Sequence, residues 1–142
     1  MSLNANSVNA YRQTKVKTAS GGKIIVMLYD EAMRQIDRAL SAIDNGTKEL
    51  DKIHNAIVKA QDIVTELMVS LDFDAGGDIS RNLFNLYVYF NNQLMDANVK
   101  KDAQPLREIR PLIGELRDAW AEIAAKTAGP ERSAGGGLNI SG

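Results

Sequence analysis

Apolar residues recur every three or four positions through four long segments of this chain. In the first segment the stripe is Ile24, Leu28, Ala32, Ile36, Ala39 and Ile43. The later stripes are Leu50, Ile53, Ile57, Ala60, Val64, Leu67 and Leu71; Ile79, Leu83, Leu86, Phe90, Leu94 and Ala97; and Leu106, Ile109, Ile113, Leu116, Trp120 and Ile123. This spacing places side chains on one face of an α-helix, so the pattern predicts four amphipathic helices.

Capping and turn residues set the expected ends of the first two helices. Helix one begins at Gly21 or Gly22, after Ser20 as N-cap, and ends near Asp44 because the Asn45–Gly46 pair supplies a left-handed cap. The two glycines weaken the first turn, which can therefore act as a joint. Helix two is expected over residues 47–71, with Thr47 as its cap.

The third and fourth helices are expected over residues 79–99 and from Pro105 onward. Asp78 is the expected N-cap of helix three, at the end of the loop 72–78, and Asp102 the cap before helix four. Pro105 suits a first turn, whereas Pro111 is interior and is expected to kink or restart the helix. Short loops make neighbours antiparallel, so the expected fold is an all-α, up-down-up-down four-helix bundle.

The 142 residues suit one domain with flexible ends. Residues 1–15 are predicted to form a mobile N-terminal arm, residues 16–127 the bundle, and residues 128–142 a disordered tail rich in Gly and Ser. The arm is a solvated tail, or else its Leu3, Val8 and Tyr11 are removable plugs for an apolar groove on the folded body.

The sequence gives no indication of nucleic-acid binding, membrane insertion or a signal peptide. The net charge of −1 gives no reason to expect nucleic acid. No segment approaches the roughly 18 apolar residues that span a bilayer, and the N-terminus lacks the basic and apolar regions of a signal peptide. Cysteine is absent. We therefore expect a cytoplasmic protein without membrane insertion.

Catalytic and metal motifs are incomplete throughout. The single histidine, His54, lacks the Lys and Gly positions of a His-x-x-Lys-Gly phosphotransfer site and has no second histidine for a bundle metal site. Ser20 and Lys23 match a Ser-x-x-Lys spacing, but the other elements of that site are missing. We expect no catalytic residue, no metal, no cofactor and no enzyme activity.

Helices one and three each carry a second set of apolar residues beside the main stripe. The second set of helix one is Ile25, Tyr29, Met33 and Leu40, and that of helix three is Phe84, Tyr87, Val88 and Met95. Such a helix is central in its bundle, or it leaves a groove for a partner's amphipathic or extended segment.

Several short stretches occur together in a characteristic order and spacing. They are Ala10-Tyr11, Val16, Thr18-Ala19-Ser20, Ile24, Met27-Leu28-Tyr29-Asp30, Gly76-Gly77-Asp78-Ile79-Ser80, Asn82-Leu83, Leu86-Tyr87, Tyr89, Ala97-Asn98, Asp102-Ala103 and Trp120. With this set the chain resembles the FliS family of flagellin-specific export chaperones. The match spans residues 10–125, with departures at Gly21 and Glu31, where the family usually has Pro and Gly.

The resemblance implies a cytoplasmic chaperone that binds the disordered C-terminal segment of flagellin. It would prevent premature polymerisation and aid delivery to the flagellar type III export apparatus. The export gate and other flagellar regulators are further candidate partners. It also implies that the N-terminal arm can occupy part of the groove when flagellin is absent.

The residues that we expect to line the flagellin-binding groove come from helices one and three. They are Ile24, Leu28, Tyr29, Leu83, Phe84, Leu86, Tyr87 and Phe90. The Ile25–Tyr29 side of helix one is expected to be available to the arm or to flagellin. The alternatives are a phosphotransfer or signalling bundle that uses His54, and a structural bundle that dimerises through the extra stripe.

Overall fold

The computed structural model describes the backbone of residues 21–135 and the side chains of residues 21–126. It has four helices, α1 (Gly21–Asp44), α2 (Leu50–Val69), α3 (Phe73–Lys100) and α4 (Gln104–Gly135), and no strand among the residues described. None of these helices is both long and apolar enough to cross a membrane. The predicted all-α class is confirmed.

Leu28–Gly114 forms one compact unit, which contains parts of all four helices packed as a four-helix bundle. Bonds between α1 and α4 join Asp37 to Arg110 and Asp44 to Arg107, so the two helices run antiparallel. The connections are residues 45–49, 70–72 and 101–103. The predicted bundle with short loops between antiparallel neighbours is therefore confirmed.

The core of this unit consists of large apolar side chains from every helix. Its fully buried members include Tyr29, Ile36, Ile53, Ile57, Val64, Leu67, Tyr87, Phe90, Leu94, Leu106, Ile109 and Ile113. Burial of a side chain of this size contributes about 1.5–3 kcal/mol relative to its exposed state. These residues recur at helical spacing, which explains why periodicity alone predicts the elements.

Helix α1 ends as the sequence predicts. Gly46 has φ +70°, its N–H donates to Ile43 O at 3.0 Å, and the Thr47 N–H donates to Ala42 O at 3.1 Å. This pair of bonds is a Schellman cap, which needs the left-handed conformation that glycine adopts without strain. The expected N-cap, Ser20, lies outside the described residues.

Helix α2 begins later than its polar residues indicate. Its N-cap is Glu49, which makes no side-chain cap bond, and Thr47 Oγ1 instead accepts from the Glu49 N–H at 3.1 Å. The prediction that Thr47 caps the helix is therefore wrong, because its hydroxyl closes a turn before the helix starts. As a result Leu50 lies in the first turn and is exposed.

Helix α3 begins earlier than predicted, within the expected loop. Asp72 is the N-cap and its Oδ1 accepts from the Ala75 N–H at 3.0 Å, so the prediction of Asp78 as the cap is wrong. A bend follows at Gly77, with φ 52° and ψ −122°. The Ser80 hydroxyl donates to Asp72 O at 2.9 Å across the bend, and Asp78 forms an ion pair with Arg81 instead.

A lysine closes the other end of α3. Lys101 is left-handed, with φ 52°, and its backbone N–H donates to Ala97 O. Its Nζ donates to Asn98 O at 2.6 Å and to Asn98 Oδ1 at 2.8 Å. Asp102 Oδ1 accepts from the Gln104 N–H at 3.0 Å and so pairs a backbone donor of the first turn of α4. Since α4 begins at Gln104 and the Arg107 N–H donates to Ala103 O, the N-cap is Ala103, and the prediction of Asp102 as the cap is off by one residue.

Helix α4 continues through Pro111, so the expected restart there is wrong. Pro111 and Arg107, whose carbonyl loses its helical partner, are both exposed, and water can satisfy that carbonyl. The helix runs to Gly135, within the segment 128–142 predicted as a tail. Residues 136–142 lie outside the described residues, and the tail stays a prediction.

The second compact unit contains residues 21–27 and 115–135 of the described chain. A Cβ added to Gly22 would lie 2.9 Å from Ala124 Cβ and 3.2 Å from Ala124 Cα. Gly22 therefore allows α1 and α4 to approach closely within this unit, a packing role that propensity does not reveal. The predicted hinging of the arm concerns residues outside the described ones and stays a prediction.

Candidate functional site

One flank of α3 leaves large apolar side chains uncovered. Phe84, Val88, Met95 and Val99 are spaced by four, seven and four positions, so they share one side of the helix. Phe84 is 39% exposed, Met95 53% and Val99 77%, and Val88 is partly buried. We call these four residues the α3 flank.

The bend at Gly77 extends the α3 flank toward the start of the helix. Phe73, on the turn before the bend, packs edge-on against Phe84, with ring centroids 6.0 Å apart. Both rings remain partly exposed. Aromatic pairs of this geometry stabilise by about 0.5–1.5 kcal/mol beyond the area that they bury. The pair is thus an ordered apolar surface at one end of the flank.

Amide side chains join α3 to α2 beside the flank. Asn91 Nδ2 donates to Thr65 Oγ1 at 3.3 Å, and Asn98 Nδ2 donates to His54 Nδ1 at 3.0 Å. Lys101 Nζ bonds Asn98 Oδ1 and so fixes the orientation of that amide. The His54 ring is exposed, and because an amide nitrogen only donates, its Nδ1 is the acceptor. These bonds hold the two helices in register under the flank.

Three of the eight predicted groove residues lie in the core. Tyr29, Tyr87 and Phe90 are each 1% exposed. The Tyr29 and Tyr87 hydroxyls are 2.5 Å apart and hydrogen-bonded, and Phe90 packs on the Tyr87 ring. Desolvation by burial raises the pKa of Tyr87, while its bond to Tyr29 lowers it by less. The surface assignment of these three residues is corrected, because they are bundle core.

The other predicted groove residues have some exposure. Phe84 is exposed, and Leu28, Leu83 and Leu86 are partly buried. Ile24, in the unit that contains residues 21–27, is also partly buried. Whether they contact a client stays a prediction.

Two other predictions concern residues at or before the start of α1. Ile25 is buried, as is Tyr29, so the Ile25–Tyr29 side of α1 is not the available surface that the sequence analysis expects. The plug residues Leu3, Val8 and Tyr11 lie outside the described residues. Their role stays a prediction.

The predicted groove does not include three exposed residues at this surface, namely Phe73, Met95 and Val99. Met95 belongs to the second stripe of helix three, and Val99 lies one helical turn further along the same stripe. Continuing that stripe to its end would have found both residues. Phe73 carries no such signal, because only the bend at Gly77 brings its ring to Phe84.

The α1–α4 face of the bundle unit is polar. It holds a shallow recess of about 560 Å³ lined by Asp30, Met33, Arg34, Asp37, Arg38, Ser41 and Arg110. Asp37 accepts two bonds from Arg110, at 2.8 and 3.1 Å, and this pairing raises the pKa of Arg110. The described residues hold no group of three or more His, Asp or Glu side chains able to bind a metal ion.

A helical bundle with an uncovered apolar flank is typical of a module that binds another protein chain. Comparison with protein-family models matches residues 4–127 to the family described as Flagellar protein FliS. The chain therefore belongs to the FliS family, and the predicted resemblance is confirmed.

Curated relatives match over most of their length. The Flagellar secretion chaperone FliS of Bacillus subtilis (strain 168) is 31% identical over 133 residues, covering 94% of this chain and 96% of that protein. The protein of the same name from Salmonella typhimurium is 33% identical, with 87% and 94% covered. That of Vibrio cholerae is also 33% identical, with 82% and 88% covered.

Proposed function

We propose that this chain is a cytoplasmic export chaperone for flagellin. It binds the disordered C-terminal segment of newly made flagellin, prevents premature polymerisation and aids delivery to the flagellar type III export apparatus. It does so by binding alone, without catalysing a reaction. Its family membership and the secretion-chaperone names of its relatives support the general role.

The observation that carries the proposal is the exposed α3 flank. Monomeric proteins rarely expose contiguous apolar patches larger than about a few hundred Å², and such patches often mark binding sites. A disordered client that folds on such a surface can bury on the order of 1,000–3,000 Å² while losing conformational entropy. That balance favours a complex that is specific and can still release its client for export.

Calorimetry against a synthetic C-terminal flagellin peptide tests the proposal. We expect a complex at or below tens of micromolar. Replacing Met95 by Asp puts a charge on the flank, and we expect at least a tenfold weaker complex. Ile123→Asp is the matched control, because Ile123 is 51% and Met95 53% exposed, and Ile123 lies on α4.

Two results would contradict the proposal. The absence of heat or complex at tens of micromolar wild-type protein would refute flagellin binding. Equal weakening by Met95→Asp and Ile123→Asp would show that the flank has no special part in it. Circular dichroism of both variants establishes that each remains folded.

Each alternative function has its own test. Acid-labile phosphate on His54 after incubation with a phosphodonor would support the phosphotransfer bundle. Light scattering of the chain with and without the peptide separates client binding from dimerisation through the flank. We expect no phosphate on His54, and a mass increase equal to one bound peptide.

A further inference from the structure

A long part of α3 carries no charge on any side. No Asp, Glu, Lys, Arg or His occurs between Arg81 and Asp96, although charged residues make up 25% of the chain. At 1.5 Å per residue this part of the helix is about 20 Å long. The α3 flank explains one side of it, but an apolar flank does not require the outward side to be uncharged.

The outward side of this stretch consists of Asn82, Asn85, Tyr89 and Asn92, which we call the amide face. Their spacing of three, four and three positions aligns them along the helix, and all four are exposed. Soluble helices usually carry charged residues in such positions. The exposed side of α2 does so, with Lys52, Lys59 and Asp62.

The asparagines of the amide face have no evident structural role. None of the three amides makes a hydrogen bond or other polar contact within the part of the chain that the structure describes. Asparagine is also a poorer helix former than alanine, lysine or glutamate, because its side chain competes for backbone groups. The local structure of α3 thus gives no reason for these residues.

We infer that an uncharged, extended segment of the client covers the amide face, with the asparagine amides hydrogen-bonded to its backbone. An amide side chain both donates and accepts, so it can pair with the N–H and C=O groups that an extended chain exposes. A lysine or glutamate there would be buried without a counter-charge on complex formation, which is far less favourable.

The client chemistry follows from this complementarity. The segment on the amide face carries hydroxyl, amide or small apolar side chains, and the neighbouring part inserts apolar side chains on the α3 flank. Since no charges meet on either surface, salt does little to screen the contact. We expect the affinity to change less than about threefold between 50 and 500 mM NaCl. This inference rests on the proposed function.

Substitutions on the amide face test the inference with the same flagellin peptide. We expect Asn85→Lys and Asn92→Lys each to weaken binding at least tenfold. Asn92→Ala should weaken it about threefold, although alanine is the better helix former. Asn55→Lys is the matched control, because Asn55 is also exposed but lies on α2, turned away from α3. It should bind within twofold of wild type.

The outcomes separate this inference from the proposed function. Tight wild-type binding that is unchanged in Asn85→Lys and Asn92→Lys would overturn the role of the amide face and leave the chaperone assignment intact. Equal weakening by Asn55→Lys would indicate a general charge effect and would also overturn it. Failure of the wild-type protein to bind would refute the proposed function itself.

Discussion

Replacing Gly76 by Ala should destabilise the bend at the start of α3. A Cβ at this position would lie 1.9 Å from Ser80 Oγ and 3.0 Å from Ser80 Cβ. The Ser80 hydroxyl cannot remain there, yet it is the group that bonds Asp72 O across the bend. The substitution therefore sets a better helix former against a partly buried hydrogen bond.

The magnitudes favour destabilisation. Alanine gains up to about 1 kcal/mol over glycine in helix propensity. Displacing the hydroxyl breaks its partly buried bond and leaves its groups unpaired, at about 1–3 kcal/mol. The remaining 3.0 Å contact adds overpacking of about 1 kcal/mol or more. We expect a net loss of about 1–3 kcal/mol in the free energy of unfolding.

Urea unfolding followed by circular dichroism measures this loss, and the double variant tests its cause. Ser80→Ala alone should lose about 1 kcal/mol. In Gly76→Ala/Ser80→Ala the hydroxyl is absent, so the combined loss should fall short of the sum of the single losses by 1 kcal/mol or more. Additive losses, or wild-type stability of Gly76→Ala, would refute this explanation.

Gly77→Ala is the control for backbone strain. Its added Cβ would meet no atom within 4 Å, but its φ of +52° is unfavourable for any side chain. We expect a loss of about 1–3 kcal/mol that Ser80→Ala does not reduce. Coupling of Gly77→Ala to Ser80→Ala as strong as that of Gly76→Ala would show that the bend responds as a whole.

Three further predictions concern other parts of the chain. Gly22→Ala should lower the free energy of unfolding by about 1–2 kcal/mol through its contact with Ala124, and in urea titrations it should cost less when introduced into an Ala124→Gly variant. Burial raises the pKa of Tyr87, so the folded state keeps this proton longer and stability should fall as the pH rises through about 10; Tyr87→Phe should show less of this alkaline loss by circular dichroism. Deleting residues 1–15 should tighten peptide binding or leave it unchanged in calorimetry, whereas marked weakening would show that the arm contacts the client.

Periodicity and glycine chemistry predict much of the fold. Ile36, Ile57 and Leu94 each belong to a row of apolar residues within their own helix. The spacing within each row indicates which segments are helical, because an α-helix turns once every 3.6 residues. Gly46 marks the end of α1 because the Schellman cap needs a left-handed residue. These signals are local, and a sequence displays them directly.

The starts of α2 and α3 are harder to predict than the end of α1. Asp72 and Asp78 are equally good capping residues, and the choice between them depends on the bend at Gly77 and the bond from Ser80 to Asp72 O. Thr47 is likewise a good cap by type, but its hydroxyl closes the preceding turn. Such choices depend on the detailed geometry of each turn, which residue type alone does not encode.

The candidate site was predicted only in part for a similar reason. Two apolar stripes on α3 show that it has surplus surface, but they do not show which stripe faces the core. Tyr87 falls in the core because its hydroxyl meets that of Tyr29 on α1, a contact distant in sequence. Met95, on the same second stripe, is exposed.

The short connections between the helices have a consequence for folding speed. Residues 45–49, 70–72 and 101–103 are short, so bringing each helix against the next orders little chain, and the contacts that close the longest loop are those of α1 with α4. Helical bundles typically fold in about microseconds to milliseconds, far faster than a ribosome extends a chain. The bundle can therefore form as soon as the part of α4 that pairs with α1 is released.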